Sequence, residues 1–230
     1  MSIDSSVFQV VRRTLALISA VGANACAIGT QGAQNDQIVA PQAFVSPNMD
    51  FARINKVAIF PLFAAGQVSD DPYAEKLVAA ITSEIQGRQA QWKILPYQDA
   101  LALIQRYGLG AGYKNLQADF NTYAGPTGAF VISAPTRKFL ADMEKAAGVD
   151  AFIFGTYALQ KLAVTHNSIL GGPYVSMEEV TRVGLGLYYA KESQTWWNAT
   201  VARYGNRADV IDAIARSLAN AIGKGTLRQM

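Results

Sequence analysis

The chain has 230 residues, half of them hydrophobic and 16% charged, which excludes a disordered polymer and suits one ordinary domain with extensions. Twenty basic against 17 acidic residues leave a net charge of +3, too mild to mark a nucleic-acid surface. One cysteine and one histidine exclude an internal disulfide, a His-rich metal cage and a paired-histidine mechanism.

Residues 1–13 are mixed in polarity and end in Arg12-Arg13, after which Thr14 to Ala25 is uncharged and mostly apolar. A membrane-spanning helix needs ~20 apolar residues, so this run is too short to be an anchor. A basic flank, a short apolar stretch and a small-x-small ending (Ala23-Asn24-Ala25) are the layout of an export signal, and residues 1–25 are read as one. Arg12-Arg13-Thr14-Leu15 resembles a twin-arginine signal only in its two arginines. Ala23-Asn24-Ala25-Cys26 resembles a bacterial lipobox, which implies acylation of Cys26 after the cut. It departs from the usual pattern in having Ala23 where Leu is common and Asn24 where a small residue is common. Plain cleavage nearby, or a buried structural thiol, are the other fates open to Cys26. Ala27 is not the Asp that resembles an inner-membrane retention signal, so the outer membrane is the expected destination. Residues 26–50 are rich in Gln, Asn, Gly and Pro without helical or strand period, and read as a flexible tether.

Residues 51–230 read as a single α/β domain. Lys56 to Phe63 is a β-branched and aromatic run of the kind that a strand buried on both faces gives. Asp70 and Asp71 could hold a metal or act as an acid pair, but acidic residues before a proline such as Pro72 more often cap a helix, and they read as capping residues. Tyr73, Leu77, Ile81 and Ile85 then form one stripe at helical spacing, predicting a helix over 72–86. Trp92 to Pro96 reads as a second strand, and Asp99 to Tyr107 as a short helix. Glycines 108, 110, 112, 125 and 128 break any period, so 108–132 is expected to be a long loop. Ser133-Ala134-Pro135 opens a helix through Ala147 with Phe139, Leu140 and Met143 inward, and Gly148 ends it. Val149 to Gly155 is a third buried strand, with 156–164 continuing or flanking it. Val180 to Tyr189 alternates and pairs with Thr195 to Tyr204 across Lys191-Glu192-Ser193-Gln194. Val210, Ile214, Leu218 and Ile222 mark a final helix. The expected fold is an α/β sandwich with a mixed sheet, in the order β-α-β-α-loop-α-β-β-β-α.

Lys56-Val-Ala-Ile-Phe-Pro-Leu-Phe63, Ile94-Leu-Pro96 and Ala146-Ala-Gly-Val-Asp-Ala-Phe-Ile-Phe-Gly155 carry a resemblance covering about residues 54–222. They resemble bacterial envelope lipoproteins whose domain is like the N-terminal domain of the TolB translocation protein. That group includes the CsgG/PelC-type curli-secretion and polysaccharide-export lipoproteins. Trp196 or Trp197 stands at that pattern's tryptophan, but Glu192-Ser193-Gln194 lacks the glycine of its hairpin turn. The resemblance implies a non-enzymatic assembly component of a periplasmic, outer-membrane-anchored complex. It also implies a homo-oligomer with other envelope proteins as partners. No long alternating segments like the pore-forming hairpins of the curli protein are read from the sequence, which favours a ring or scaffold over a pore.

Chemistry-bearing motifs are few. Gly108-Leu-Gly-Ala-Gly112 follows a helix and lacks the Lys-Ser/Thr ending of a phosphate loop. Asp150 follows Gly148 at a strand start, where the resemblance implies a packing or capping residue, and His166 reads as a solvated loop residue. No hydrolase or metal signature occurs, so no cofactor, metal or catalytic residue is expected. Trp196-Trp197 stands above this background. On a regular strand adjacent side chains face opposite ways, so one ring is expected in the core. The other either packs under a second layer or anchors a partner, and it leaves open a periplasmic module that binds glycan or peptide.

Overall fold

The computed structural model describes residues 39–64, 72–121, 132–168 and 171–227. By contact they form two units: residues 165–168 with 171–174, and all the others. In the first unit His166 lies on a strand, not in a loop, and stacks on Tyr174 with ring centroids 5.0 Å apart.

The main unit is built on one six-stranded mixed sheet, ordered β1-β6-β5-β4-β2-β3. Its strands are β1 (Val39–Val45), β2 (Lys56–Ala64), β3 (Lys93–Leu95), β4 (Ala151–Ser168), β5 (Gly172–Tyr189) and β6 (Gln194–Tyr204). The helices among the described residues are α1 (Pro72–Arg88), α2 (Tyr97–Arg106), α3 (Gly110–Asn121), α4 (Ala134–Ala147) and α5 (Ile211–Leu227). β2 runs parallel to both β3 and β4, while β6 is antiparallel to β1 and β5. The resulting order is β-β-α-β-α-α-α-β-β-β-α. It adds a strand and a helix to the expected one.

Each face of the sheet carries its own core. Tyr73, Leu77, Ile81 and Ile85 of α1, and Ile214, Leu218 and Ile222 of α5, pack with Val57, Ile59, Ile153, Leu185 and Val201. On the other side Leu116, Phe139, Leu140 and Met143 pack with Phe60, Phe152, Phe154 and Tyr188. The helical stripes read from the sequence are therefore the buried faces. α4 begins and ends as its sequence dictates. Ser133 Oγ accepts from the Thr136 amide at 3.3 Å, Pro135 lies in the first turn, and Gly148 closes the helix at φ 60.

Pro61 lies inside β2, a position where a missing N–H would normally cost a ladder bond. Two features make it compatible. β3 runs beside β2 only from Lys56 to Ala58, and the β2–β4 ladder shifts register between Ile59 and Leu62. This bulge also explains why Ile59 and Leu62 share one core while Phe60 and Phe63 share the other.

Three elements differ from expectation. β1 occupies the last part of the stretch read as tether. It carries Pro41 at a register shift on an edge strand, where proline is tolerated. Residues 110–121 are helical and not a loop, because Leu116 and Phe120 are buried at i, i+4. Gly112 is not a breaker there but a point of close approach: a Cβ on it would lie 2.6 Å from Phe139 Cβ. Residues 122–131 of the expected loop lie outside the described residues. Finally, β4 and β5 run 18 residues each, so the chain does contain a long strand pair where none was expected.

Candidate functional surface

The tryptophan pair sits on a second bulge. Leu187 faces Trp197 and Tyr188 faces Thr195, so Trp196 is the extra residue on β6. A bulge re-aims a side chain, and here it places both rings in the same core, each 0% exposed. The expectation of one ring on each face does not hold, because it assumed an unbroken strand period. Neither indole stands on the surface as an anchor for glycan or peptide. Trp196 stacks on Tyr189 with centroids 3.8 Å apart, and its Nε1 donates to Glu192 at 3.0 Å.

Around Trp196 the polar groups close on one another. Arg53 lies over the rings of Tyr189 and Trp196, at 5.1 and 5.4 Å, and its Nη1 donates to Glu192 at 2.6 Å. Gln194 Nε2 donates to the same carboxylate. Loss of hydration raises the Glu192 pKa, but these three donors outweigh it and hold the group below its ordinary value. Asp150 does similar work next door. Its carboxylate accepts from the amides of Asn55 at 2.9 Å and Lys56 at 3.1 Å, and it pairs with Lys191 at 3.0 Å. Burial raises its pKa, yet those partners prevail and the net displacement is downward. The start of β2 and the turn after β5 are thus clasped together. Asp150 thus caps the amides at the start of β2, the second of the packing and capping roles that the resemblance implied.

Ser193 closes that turn at φ 52, the left-handed region. It stands in the segment where the resembled pattern has glycine, and only glycine takes this conformation freely. Gly108 turns α2 into α3 at φ 66, so Gly108–Gly112 joins two helices and forms no strand-to-helix phosphate loop. Among the described residues no three His, Cys, Asp or Glu gather to hold a metal, and no helix is long and apolar enough to cross a membrane. Cys26, Asp70 and Asp71 lie outside the described residues.

The surface feature that sequence reading missed is on the outer parts of β4 and β5. Within the main unit Leu162, Val175 and Met177 are 40, 64 and 65% exposed. In the other unit Tyr174 is exposed too, and Tyr107 on α2's C-terminal turn completes the large exposed hydrophobics among the described residues. Strand period separates the three into two faces. Val175 and Met177 fall in phase with Val183 and Leu185, on the side of α1 and α5. Leu162 is three residues from Leu159, which packs toward that same side, so Leu162 faces the other way. The alternation of Val175-Ser176-Met177-Glu178 is a strand signal in the sequence, but it lies ahead of Val180, where the apolar pattern becomes continuous.

No protein-family model and no curated protein matches the chain. Among solved structures it is similar to the PelC dodecamer from Paraburkholderia phytofirmans, with 11% identity, coverage of 79% of this chain and 95% of that one, and a TM-score of 0.43. It is also similar to lipoprotein GNA1162 from Neisseria meningitidis, at 15% identity, 74% and 98% coverage and a TM-score of 0.35. A third is the LpoB C-terminal domain from Salmonella enterica, at 8% identity, 64% and 81% coverage and a TM-score of 0.36.

Proposed function

We propose that this chain is an exported periplasmic lipoprotein, anchored to the outer membrane through Cys26. In this reading it is a non-enzymatic assembly component of an envelope secretion, export or surface-appendage complex, and it associates with copies of itself. The observation that carries the reading is the basic flank and short apolar run ending at Ala23-Asn24-Ala25-Cys26, ahead of a fully cored α/β domain. The clasp supports an assembly role over a catalytic one. Asp150, Lys191, Arg53 and Glu192 are engaged with each other and with backbone amides, fixing a turn.

Labelled palmitate added to expressing cells tests the anchor. The wild-type chain should take up label and float with outer membranes, and Cys26→Ser should do neither. An unlabelled wild-type chain would overturn the lipoprotein reading. Self-association is tested on detergent-extracted protein by light scattering, where a monomer at micromolar concentration would overturn it.

A further inference from the structure

We propose that the end of the β5–β6 ladder holds a carboxylate-binding site, with Arg203 and Thr181 as its donors. Arg203 of β6 carries a buried charge with no counter-charge among the described residues. It is only 8% exposed, and its guanidinium donates from Nη2 to Ser217 Oγ of α5 at 3.2 Å. Its Nε is buried with no hydrogen-bond partner, and no carboxylate among the described residues forms an ion pair with it. One neutral hydroxyl leaves most of the desolvation of a buried guanidinium uncompensated, and a bound anion would repair that.

A second unspent donor stands beside it. Thr181 is 0% exposed and directly opposite Arg203, so both side chains leave the sheet on the same side, with Cβ atoms about 5 Å apart. The Tyr73 hydroxyl of α1 donates to Thr181 Oγ1 at 3.4 Å, which leaves the threonine's own proton for a further acceptor. Ser217 differs, because its proton is spent on the Ala213 carbonyl at 2.8 Å. Arg203 Nε–H and Thr181 Oγ1–H are thus neighbouring donors that the two oxygens of one carboxylate can satisfy together.

The surrounding charges select a monoanion. Glu179 lies two residues from Thr181 on the same side of β5, and its Oε2 accepts from the Arg207 amide at 3.4 Å. The Arg207 guanidinium lies over the Tyr73 ring, 5.8 Å from its centroid. These two charges offset each other, so the excess is the single charge of Arg203, which suits a carboxylate over a dianionic phosphate. Access is short, since two residues past Arg203 the chain enters the exposed turn 205–209. The site is independent of the lipoprotein reading.

The test titrates sodium acetate into the purified chain at constant ionic strength, with sodium chloride and sodium phosphate as comparisons. Acetate at about ten times its dissociation constant should raise the melting temperature by about 3–5 °C. In arginine-labelled protein the Arg203 Nε–H resonance should move along the same titration. Arg203→Met should abolish the melting response, yet without acetate it should melt within about 2 °C of wild type, because it no longer buries an unpaired charge. Thr181→Val should weaken acetate binding by about tenfold and Thr181→Ser should restore it, and this pair serves if Arg203→Met does not fold. Acetate that moves neither the melting temperature nor the Nε–H resonance overturns the proposal. So does an equal melting shift in Arg203→Met, or a Thr181→Val variant that binds acetate as tightly as its parent. Phosphate acting where acetate does not overturns the carboxylate assignment.

Discussion

Gly155 is the position where one added carbon should do most damage. A Cβ there would lie 2.0 Å from the carbonyl oxygen of Gly184, on the neighbouring strand, and 2.9 Å from Leu185 Cδ2. The leucine can rotate, but the carbonyl belongs to the backbone. An ordinary carbon–oxygen contact is ~3.3 Å, so the two strands must part by about 1.3 Å. Overpacking of this kind costs roughly 1–3 kcal/mol, and losing one or two ladder hydrogen bonds adds about 1 kcal/mol each. Gly155→Ala should therefore lose about 3 kcal/mol, a large share of the 5–15 kcal/mol typical of a domain. In urea, with a slope of roughly 2 kcal/mol per molar, the unfolding midpoint should fall by about 1.5 M. Gly184→Ala is the control. Its Cβ would meet only Thr200 Oγ1 at 3.3 Å and Thr156 Oγ1 at 3.7 Å, hydroxyls that can give by a few tenths of an ångström. Its cost should stay under ~1 kcal/mol. Equal midpoints for the two variants would refute the close-approach reasoning.

Three further outcomes are expected. Ser193→Gly should raise the melting temperature, because it relieves a left-handed non-glycine residue; the gain is about 0.5–1 kcal/mol, and an unchanged or lower melting temperature counts against it. Asp150→Asn should cost about 1–2 kcal/mol near neutral pH by weakening two amide contacts and one ion pair. The Asp150 pKa is depressed in the folded state, so its contribution is present above the ordinary carboxylate pKa of ~3.9 and is lost as pH falls through the folded value. The difference between wild type and variant should shrink below about pH 4 in urea midpoints, and one that stays constant contradicts the linkage. All three tryptophans are buried, so intrinsic fluorescence should be blue-shifted and acrylamide should quench it weakly. Red emission with efficient quenching would place an indole on the surface.

Where one signal dominated a segment, the sequence was legible. The α1 and α5 stripes, the α4 caps and the β5–β6 pairing follow from apolar period and capping chemistry alone, because tertiary packing there reinforces local preference. Legibility failed where packing reversed a local signal. Gly110 and Gly112 looked like breakers, yet Gly112 lets α3 come close to Phe139. Trp196 and Trp197 looked like opposite faces, yet a single extra residue turned both inward. β1 has little period of its own, and only the edge of β6, some 150 residues later, makes it a strand. The outer β4–β5 stretch keeps alternating after its apolar content thins, so composition there resembled a loop. As a result the candidate surface was the part least readable in advance.

The pairing of β1 with β6 also bears on how the molecule is assembled in time. Among the described residues β1 is the first strand to be made, but its partner is the last strand of the sheet, with Val45 opposite Trp197. Closing so long a loop is entropically slow, and no earlier strand offers β1 a place, because β6 separates it from β5. β1 must therefore wait unpaired until β6 has been made, and its docking is the step that completes the sheet.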